Sequence, residues 1–277
     1  GVTSIFTADL DQDGDIDVIA PAHQGSNLCW YQNNGSQSFT KYTIDNALTG
    51  AREAIVTDLD RDGDMDIIAI AESGDKLCWY DNNGSQSFTK TTIDASIEDP
   101  RGIDAADLDG DNDVDIILDA YTEDVLVWYE NNGFESFTKN TIVSDAGFRP
   151  FSVDLDEDGD YDIITADATN GHVNWYANNG SESFTKSTID NSGMTRVFQV
   201  EVGDVDGDGD LDVVAQTASN DNTANDKIVW YANNGSESFT EYDVDTDLNY
   251  PYRFNLVDID GDEDLDMVSA ARIGDEV

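Results

Sequence analysis

Apolar residues along this chain fall in short runs rich in β-branched and aromatic side chains, and no stretch keeps a 3.6-residue period. That pattern predicts strands. One run leads into a cluster of acids, as in SIFTADLD at 4–11, and a second leaves it, as in DIIAIA at 66–71. A third run ends in Trp-Tyr, followed by Asn-Asn-Gly and a fourth run around Ser-Phe-Thr. Asn-Gly between two such runs predicts a hairpin, because both residues tolerate positive φ.

The four-run unit repeats. The pattern D-h-D-x-D-x-D-h-D, with h apolar, begins at Asp9, Asp58, Asp107, Asp154, Asp204 and Asp258. Each of the first five copies is followed by a second block: CWYQNNGSQSFT, CWYDNNGSQSFT, VWYENNGFESFT, NWYANNGSESFT and VWYANNGSESFT. Every Trp of the chain sits there, so the Trp-Tyr and Phe positions are expected in the core. Four strands per unit, repeated at this period, predict an all-β fold: a β-propeller of four-stranded blades, with six repeats visible and the last incomplete. The repeats run over about 1–49, 50–98, 99–146, 147–194, 195–249 and 250–277, within a single domain spanning 1–277. The sixth stops before its Trp-Tyr strand, so the intact protein is expected to continue and close with further strands.

The acidic loops carry the candidate chemistry. Their carboxylates are Asp9, Asp11, Asp13, Asp15 and Asp17 in the first loop and Asp58, Asp60, Asp62, Asp64 and Asp66 in the second. The third has Asp107, Asp109, Asp111, Asp113 and Asp115, and the fourth Asp154, Asp156, Asp158, Asp160 and Asp162. The fifth has Asp204, Asp206, Asp208, Asp210 and Asp212, and the sixth Asp258, Asp260, Asp262, Asp264 and Asp266. Alternate carboxylates on a curled loop converge as hard oxygen ligands and suit Ca²⁺, with position 7 able to offer its backbone carbonyl. Gly at position 6 (Gly14, Gly63, Gly159, Gly209) permits the sharp turn; Asn112 and Glu263 replace it in the third and sixth copies. An EF-hand begins the same way but needs a Glu at position 12 and flanking helices. Here position 12 is Ala20, Ala69, Leu118, Thr165, Ala215 and Ser269, on predicted strands.

With DLDQDGDID at 9–17, DLDRDGDMD at 58–66, DLDEDGDYD at 154–162, DVDGDGDLD at 204–212 and the WYxNNG blocks, the chain resembles the FG-GAP or VCBS-like repeats. These are the calcium-loop blades of integrin α-chain heads and some fungal lectins. The resemblance implies a propeller with one calcium per loop, between the first two strands of each blade, and up to six in all. Asn112, Glu263 and the absence of a literal Phe-Gly-Gly-Ala-Pro segment are departures from the family pattern.

Charge narrows the partners. Asp plus Glu number 60 against 13 Lys plus Arg, a formal net charge of −47 in 277 residues. Such a surface repels nucleic acid and anionic lipid, and no apolar run reaches the roughly 20 residues of a membrane span. Six calcium ions would bring −47 to −35. Extracellular modules bind Ca²⁺ at about 10⁻⁴–10⁻³ M, above a resting cytosol, so an extracellular or cell-surface location in a saline setting is expected. Cys29 and Cys78 hold the same place in successive repeats and are expected as free thiols.

Variable residues gather opposite the acidic loops. Arg52, Arg101, Arg149, Arg196 and Arg253 precede their loops by five to eight residues, a candidate cationic ring for an acidic glycan or peptide. Pairing with nearby acids such as Glu53, Glu98 or Asp99 would give the same recurrence. Tyr250 and Tyr252 could stack on sugars, Phe148, Phe151 and Phe254 lie in the same connections, and SNDNTANDK at 219–227 could border a site. Asn34, Asn83, Asn179 and Asn234 each open Asn-Gly-Ser, a glycosylation sequon and equally good turn chemistry. His23 and His172 come with no nucleophile, zinc or phosphate-loop motif. The expected function is a calcium-stabilised binding or adhesion module for a glycan or protein, and not an enzyme. The alternatives are a structural spacer of a surface filament or larger secreted protein, and a polysaccharide lyase using the Arg set with Tyr250 or His172.

Overall fold

A computed structural model describes all residues except Gly1, Thr3, Gln37, Asp145, Ala146, Glu182, 191–193, Thr195, 218–225, 249–250, Glu263 and 272–277. The repeats become antiparallel sheets in which each strand pairs with the next along the chain. The first sheet contains β1 (Phe6–Ala8), β2 (Asp17–Ala22), β3 (Asn27–Asn33) and β4 (Phe39–Asp45). The second contains β5 (Ala51–Thr57), β6 (Asp66–Ala71), β7 (Lys76–Asn82) and β8 (Phe88–Asp94). The third contains β9 (Pro100–Ala106), β10 (Asp115–Ala120), β11 (Val125–Asn131) and β12 (Phe137–Ser144). Then follow β13 (Phe148–Val153), β14 (Asp162–Asp167), β15 (His172–Asn178) and β16 (Phe184–Asp190). The fifth sheet is β17 (Val197–Gly203), β18 (Asp212–Thr217), β19 (Asp226–Asn233) and β20 (Phe239–Leu248), and β21 (Pro251–Val257) pairs with β22 (Asp266–Ala271). The chain forms two compact units, Gly1–Asp145 and Ala146–Val277.

Each four-stranded sheet buries both faces of most of its second strand, which explains runs such as DIIAIA that show no alternation. Every residue of β6 is buried. In the first unit Ile68, Ile70 and Trp79 pack with Ile103, Leu118 and Tyr129 of the third sheet. The alternate residues Ile67, Ala69, Cys78 and Tyr80 pack with Leu28 and Trp30 of the first. In the second unit Ile164, Val173 and Trp175 meet Val200, Val213 and Tyr231. Fourth strands are sheet edges with one open face, so their Phe residues depart from the core expectation: Phe39 is 51% exposed, and Phe88, Phe137, Phe184 and Phe239 are half-buried. Cys29 and Cys78 are buried and free, and burial pushes the Cys78 thiol up.

Within the first unit a polar joint ties each sheet to the one before it. Tyr80 Oη donates to Asp45 Oδ2 at 2.7 Å, and Tyr129 Oη to Asp94 Oδ2 at 2.8 Å. Lys90 and Lys139 reach the same oxygens at 2.6 and 3.2 Å. Burial works to raise Asp94, but hydrogen bonds from Ser96, Tyr129 and Lys139 outweigh it and hold its carboxyl at about 2.

Candidate functional site: the acidic loops

Each loop joins the first strand of a sheet to the second, and its own carboxylates organise it. Position 1 accepts the N–H of position 6: Gly14 to Asp9 at 2.9 Å, Gly63 to Asp58 at 3.1 Å, Asn112 to Asp107 at 2.9 Å, Gly159 to Asp154 at 3.0 Å and Gly209 to Asp204 at 3.1 Å. Position 5 accepts the N–H of position 7, as from Asp15 to Asp13 at 3.0 Å and from Asp64 to Asp62 at 2.8 Å. The expected left-handed turn is present at position 6, with Gly14 at φ +94° and Asn112 at +72°. Position 4 is left-handed as well, at Gln12, Arg61, Gly110, Glu157, Gly207 and Gly261. Gly in three of those six copies was the available signal. Glu263 lies outside the described residues, yet the sixth loop closes alike, with Ile259 N donating to Asp266 at 3.0 Å and Asp264 N to Asp262 at 3.1 Å.

In the five complete repeats position 9 is buried and joins the loop to the distant hairpin. In the second repeat Asp66 Oδ2 accepts from Leu59 N at 3.3 Å and Trp79 Nε1 at 3.0 Å, while Oδ1 accepts from Asn82 N at 2.8 Å. Asp17 and Asp162 repeat all three bonds, with Trp30 and Trp175. Asp115 and Asp212 accept from Leu108 and Val205 on one oxygen and from Asn131 and Asn233 on the other. The Asn side chain returns the contact: Asn82 Nδ2 donates to Met65 O at 3.0 Å. This tie explains why the acidic pattern and WYxNNG recur together. Burial pushes Asp66 and Asp115 up to about 7 and Asp162 up to about 6, against the hydrogen bonds that favour their ionised forms.

Position 7 does not join the converging carboxylates. Asp15, Asp64, Asp113, Asp160 and Asp210 place their side chains against Gly35, Gly84, Gly133, Gly180 and Gly235, where a Cβ would collide with them. The turn Gly is therefore required twice, for its positive φ and for this room.

The remaining acids converge. Ligand oxygens of Asp9, Asp11 and Asp13 lie within 4.8 Å of one another, as do those of Asp58, Asp60 and Asp62 and of Asp154, Asp156 and Asp158. In the third and fifth loops the groups are Asp107, Asp109 and Asp115, and Asp204, Asp206 and Asp212. Buried oxygens Asp11 Oδ1, Asp58 Oδ1 and Asp154 Oδ1 have no hydrogen-bond partner. Closely set hard oxygens, some buried with no partner, fit a hard divalent cation and no softer metal.

The Arg residues fall elsewhere. Arg52 Nη1 pairs with Glu72 Oε2 at 2.6 Å, and Arg101 forks onto Asp99 at 3.1 and 2.9 Å with its Cζ 3.6 Å above the Tyr121 ring. Glu72 also meets His23 at 3.3 Å, and His172 lies 3.8 Å from Asp167. Arg196 stacks on Phe198 at 4.7 Å, and Arg149 and Arg253 begin β13 and β21 near their first residues. Tyr250, the Tyr252 side chain and 218–225 lie outside the described residues. Phe254 is buried, whereas Phe148 and Phe151 are half-buried. Asn34, Asn83, Asn179 and Asn234 are exposed, and each Oδ1 accepts the N–H of the sequon Ser, as Asn34 does from Ser36 at 2.9 Å.

A cavity of 470 Å³, not anticipated from the sequence, lies beside β3 and β4. Trp30, Gln32, Tyr42, Thr43, Ile44, Ser85, Gln86 and Phe88 line it, none of them charged. Tyr42 stacks on the buried Trp30, ring centroids 4.9 Å apart, and is 44% exposed.

Repeated four-stranded antiparallel sheets with an acidic loop between their first two strands define a propeller-blade architecture. The FG-GAP-like repeat model matches residues 9–69, 58–118 and 154–215, more than half of the chain, and the chain belongs to that family. It is similar in fold to a lectin from Agrocybe aegerita whose structure concerns recognition of non-reducing terminal N-acetylglucosamine. Identity there is 21%, the match covers 96% of this chain and 74% of that one, and the TM-score is 0.69. A Lactobacillus plantarum protein matches at 13% identity and TM-score 0.63 over 92% of this chain and 74% of that one. Virginiamycin B lyase from Staphylococcus aureus matches at 15% and 0.57, over 92% and 73%. These likenesses bear out the β-propeller fold class. No curated protein matches the chain.

Proposed function

We propose that this protein is an extracellular, calcium-stabilised binding module whose ligand is a glycan. The observation that carries the calcium reading is the recurrent cluster of carboxylates with unpartnered buried oxygens. Positions 1, 3 and 5, joined by position 9 where it converges, would hold the ion. It would neutralise repulsion within each loop and brace the tie from loop to hairpin. Weak sites of this kind fill where calcium is abundant, which favours an exterior, saline setting.

The neutral cavity supports the glycan reading. On a chain of net charge −47, eight lining residues without a charge select against ionic ligands. An exposed Tyr42 face with amide and hydroxyl groups around it suits a sugar ring. Arg52 and Arg101 are already committed to Glu72 and Asp99, which weakens the anion-ring reading. The lectin with the same fold is a further, weaker support.

Thermal unfolding in excess calcium and in chelator tests the metal. A site at a hundred-fold excess over its Kd adds about 2.7 kcal/mol. Equal midpoints in the two buffers would sink the calcium reading. Glycan-array binding in calcium buffer tests the ligand, with Tyr42→Ala expected to abolish capture while keeping the wild-type midpoint.

A further inference from the structure

The five complete repeats carry the same five Asp in their loops, but they differ at one residue that reaches the loop from outside. It is the position just before Asn-Asn-Gly: Gln32, Asp81, Glu130, Ala177 and Ala232. Strand register places it. Ile67 is opposite Tyr80 and Ile116 opposite Tyr129, so Asp81 and Glu130 fall opposite Asp66 and Asp115, position 9 of their loops. In the first repeat the side chain of this residue visibly enters the cluster, where Gln32 Nε2 donates to Asp11 Oδ2 at position 3. Glu130 Oε2 accepts from Asn140 Nδ2 at 3.2 Å, which steers it. Ala177 and Ala232 bring neither charge nor oxygen to the fourth and fifth loops.

We infer that the residue preceding Asn-Asn-Gly grades calcium affinity from repeat to repeat, an inference that rests on the calcium reading above. Asp81 and Glu130 add a further carboxylate to the second and third sites, and Gln32 adds a neutral amide to the first. In the fourth and fifth this position adds no oxygen, although Glu237 of the next hairpin lies near the fourth loop. Hard-cation affinity rises with the number of charged oxygens around the site. Arg61 does not cancel the effect at the third loop: it pairs with Asp113, whose carboxylate faces Gly133 rather than the cluster. Filling therefore begins at the second and third repeats in the first unit and ends at the fourth and fifth in the second. Intermediate calcium leaves the two units unequally loaded.

Calorimetric calcium titration of the whole chain at fixed ionic strength tests this. The wild type should show two tight sites followed by weaker ones. Asp81→Asn with Glu130→Gln should weaken those two by about ten-fold or more without changing the total number bound, the size of effect that supporting residues have on metal sites. Ala177→Asp, which removes nothing, should convert one weak site to a tight one. Calcium uptake with isotherms unchanged in both variants overturns this inference alone. A wild type that takes up no calcium overturns it together with the calcium reading.

Discussion

Asp66 shows how much one buried carboxylate can organise. It receives a backbone N–H from its own loop, an indole N–H from the third strand and a backbone N–H from the hairpin turn. Trp79→Phe keeps most of the packing but removes one donor from a buried acceptor, a loss of about 1–3 kcal/mol. Urea unfolding should register this as a lower midpoint with an unchanged slope. An unaltered midpoint would mean the indole bond contributes nothing net. The acids and the Trp were both evident in the sequence, but their tie was not. It joins residues 13 apart through the register of β6 and β7, and spacing alone does not report register.

At the level of the strand and the turn, the sequence was most informative where backbone chemistry is local. Asn-Asn-Gly marked every hairpin between third and fourth strands, and Gly marked position 6, because positive φ is a property of single residues. The second glycine requirement, room for the Asp15 carboxylate, was hidden because its partner is 20 residues away. Two substitutions separate the effects. Gly14→Ala meets open space at φ +94° and should cost only the conformational strain, about 1–2 kcal/mol. Gly35→Ala, at φ +68°, adds a close collision with the Asp15 carboxylate to its backbone strain, so it should lose more stability and weaken calcium binding in its own repeat. Equal losses in chemical denaturation would remove the steric claim. Among the fourth-strand Phe residues, Phe88, Phe137 and Phe239 pack half-buried against the cores, whereas Phe39, on the outermost strand of the first sheet, stays open.

For the molecule as a whole, acid response separates the joints between sheets from the loops. Asp94 is held at about 2 in the folded state against an ordinary 3.8. A depressed carboxylate stabilises the fold above its unfolded value and loses that contribution as pH falls through the folded one. For Asp94, 12% exposed, this is roughly 2 kcal/mol, present above pH 4 and lost towards pH 2. Asp94→Asn should therefore cost stability at pH 6 and little at pH 2. Parallel acid-unfolding curves for variant and wild type would refute the assignment. The two joints, Tyr80 to Asp45 and Tyr129 to Asp94, span the same separation of 35 residues along the chain. The second repeat thus carries both halves, the acceptor for the third and the donor to the first, whereas Val143 stands at the acceptor position of the third. A gene segment encoding that repeat can be copied by unequal recombination with each new copy supplying both halves of a joint. Such a chain changes length in whole periods, and each new copy is free to diverge at the single residue that precedes its turn.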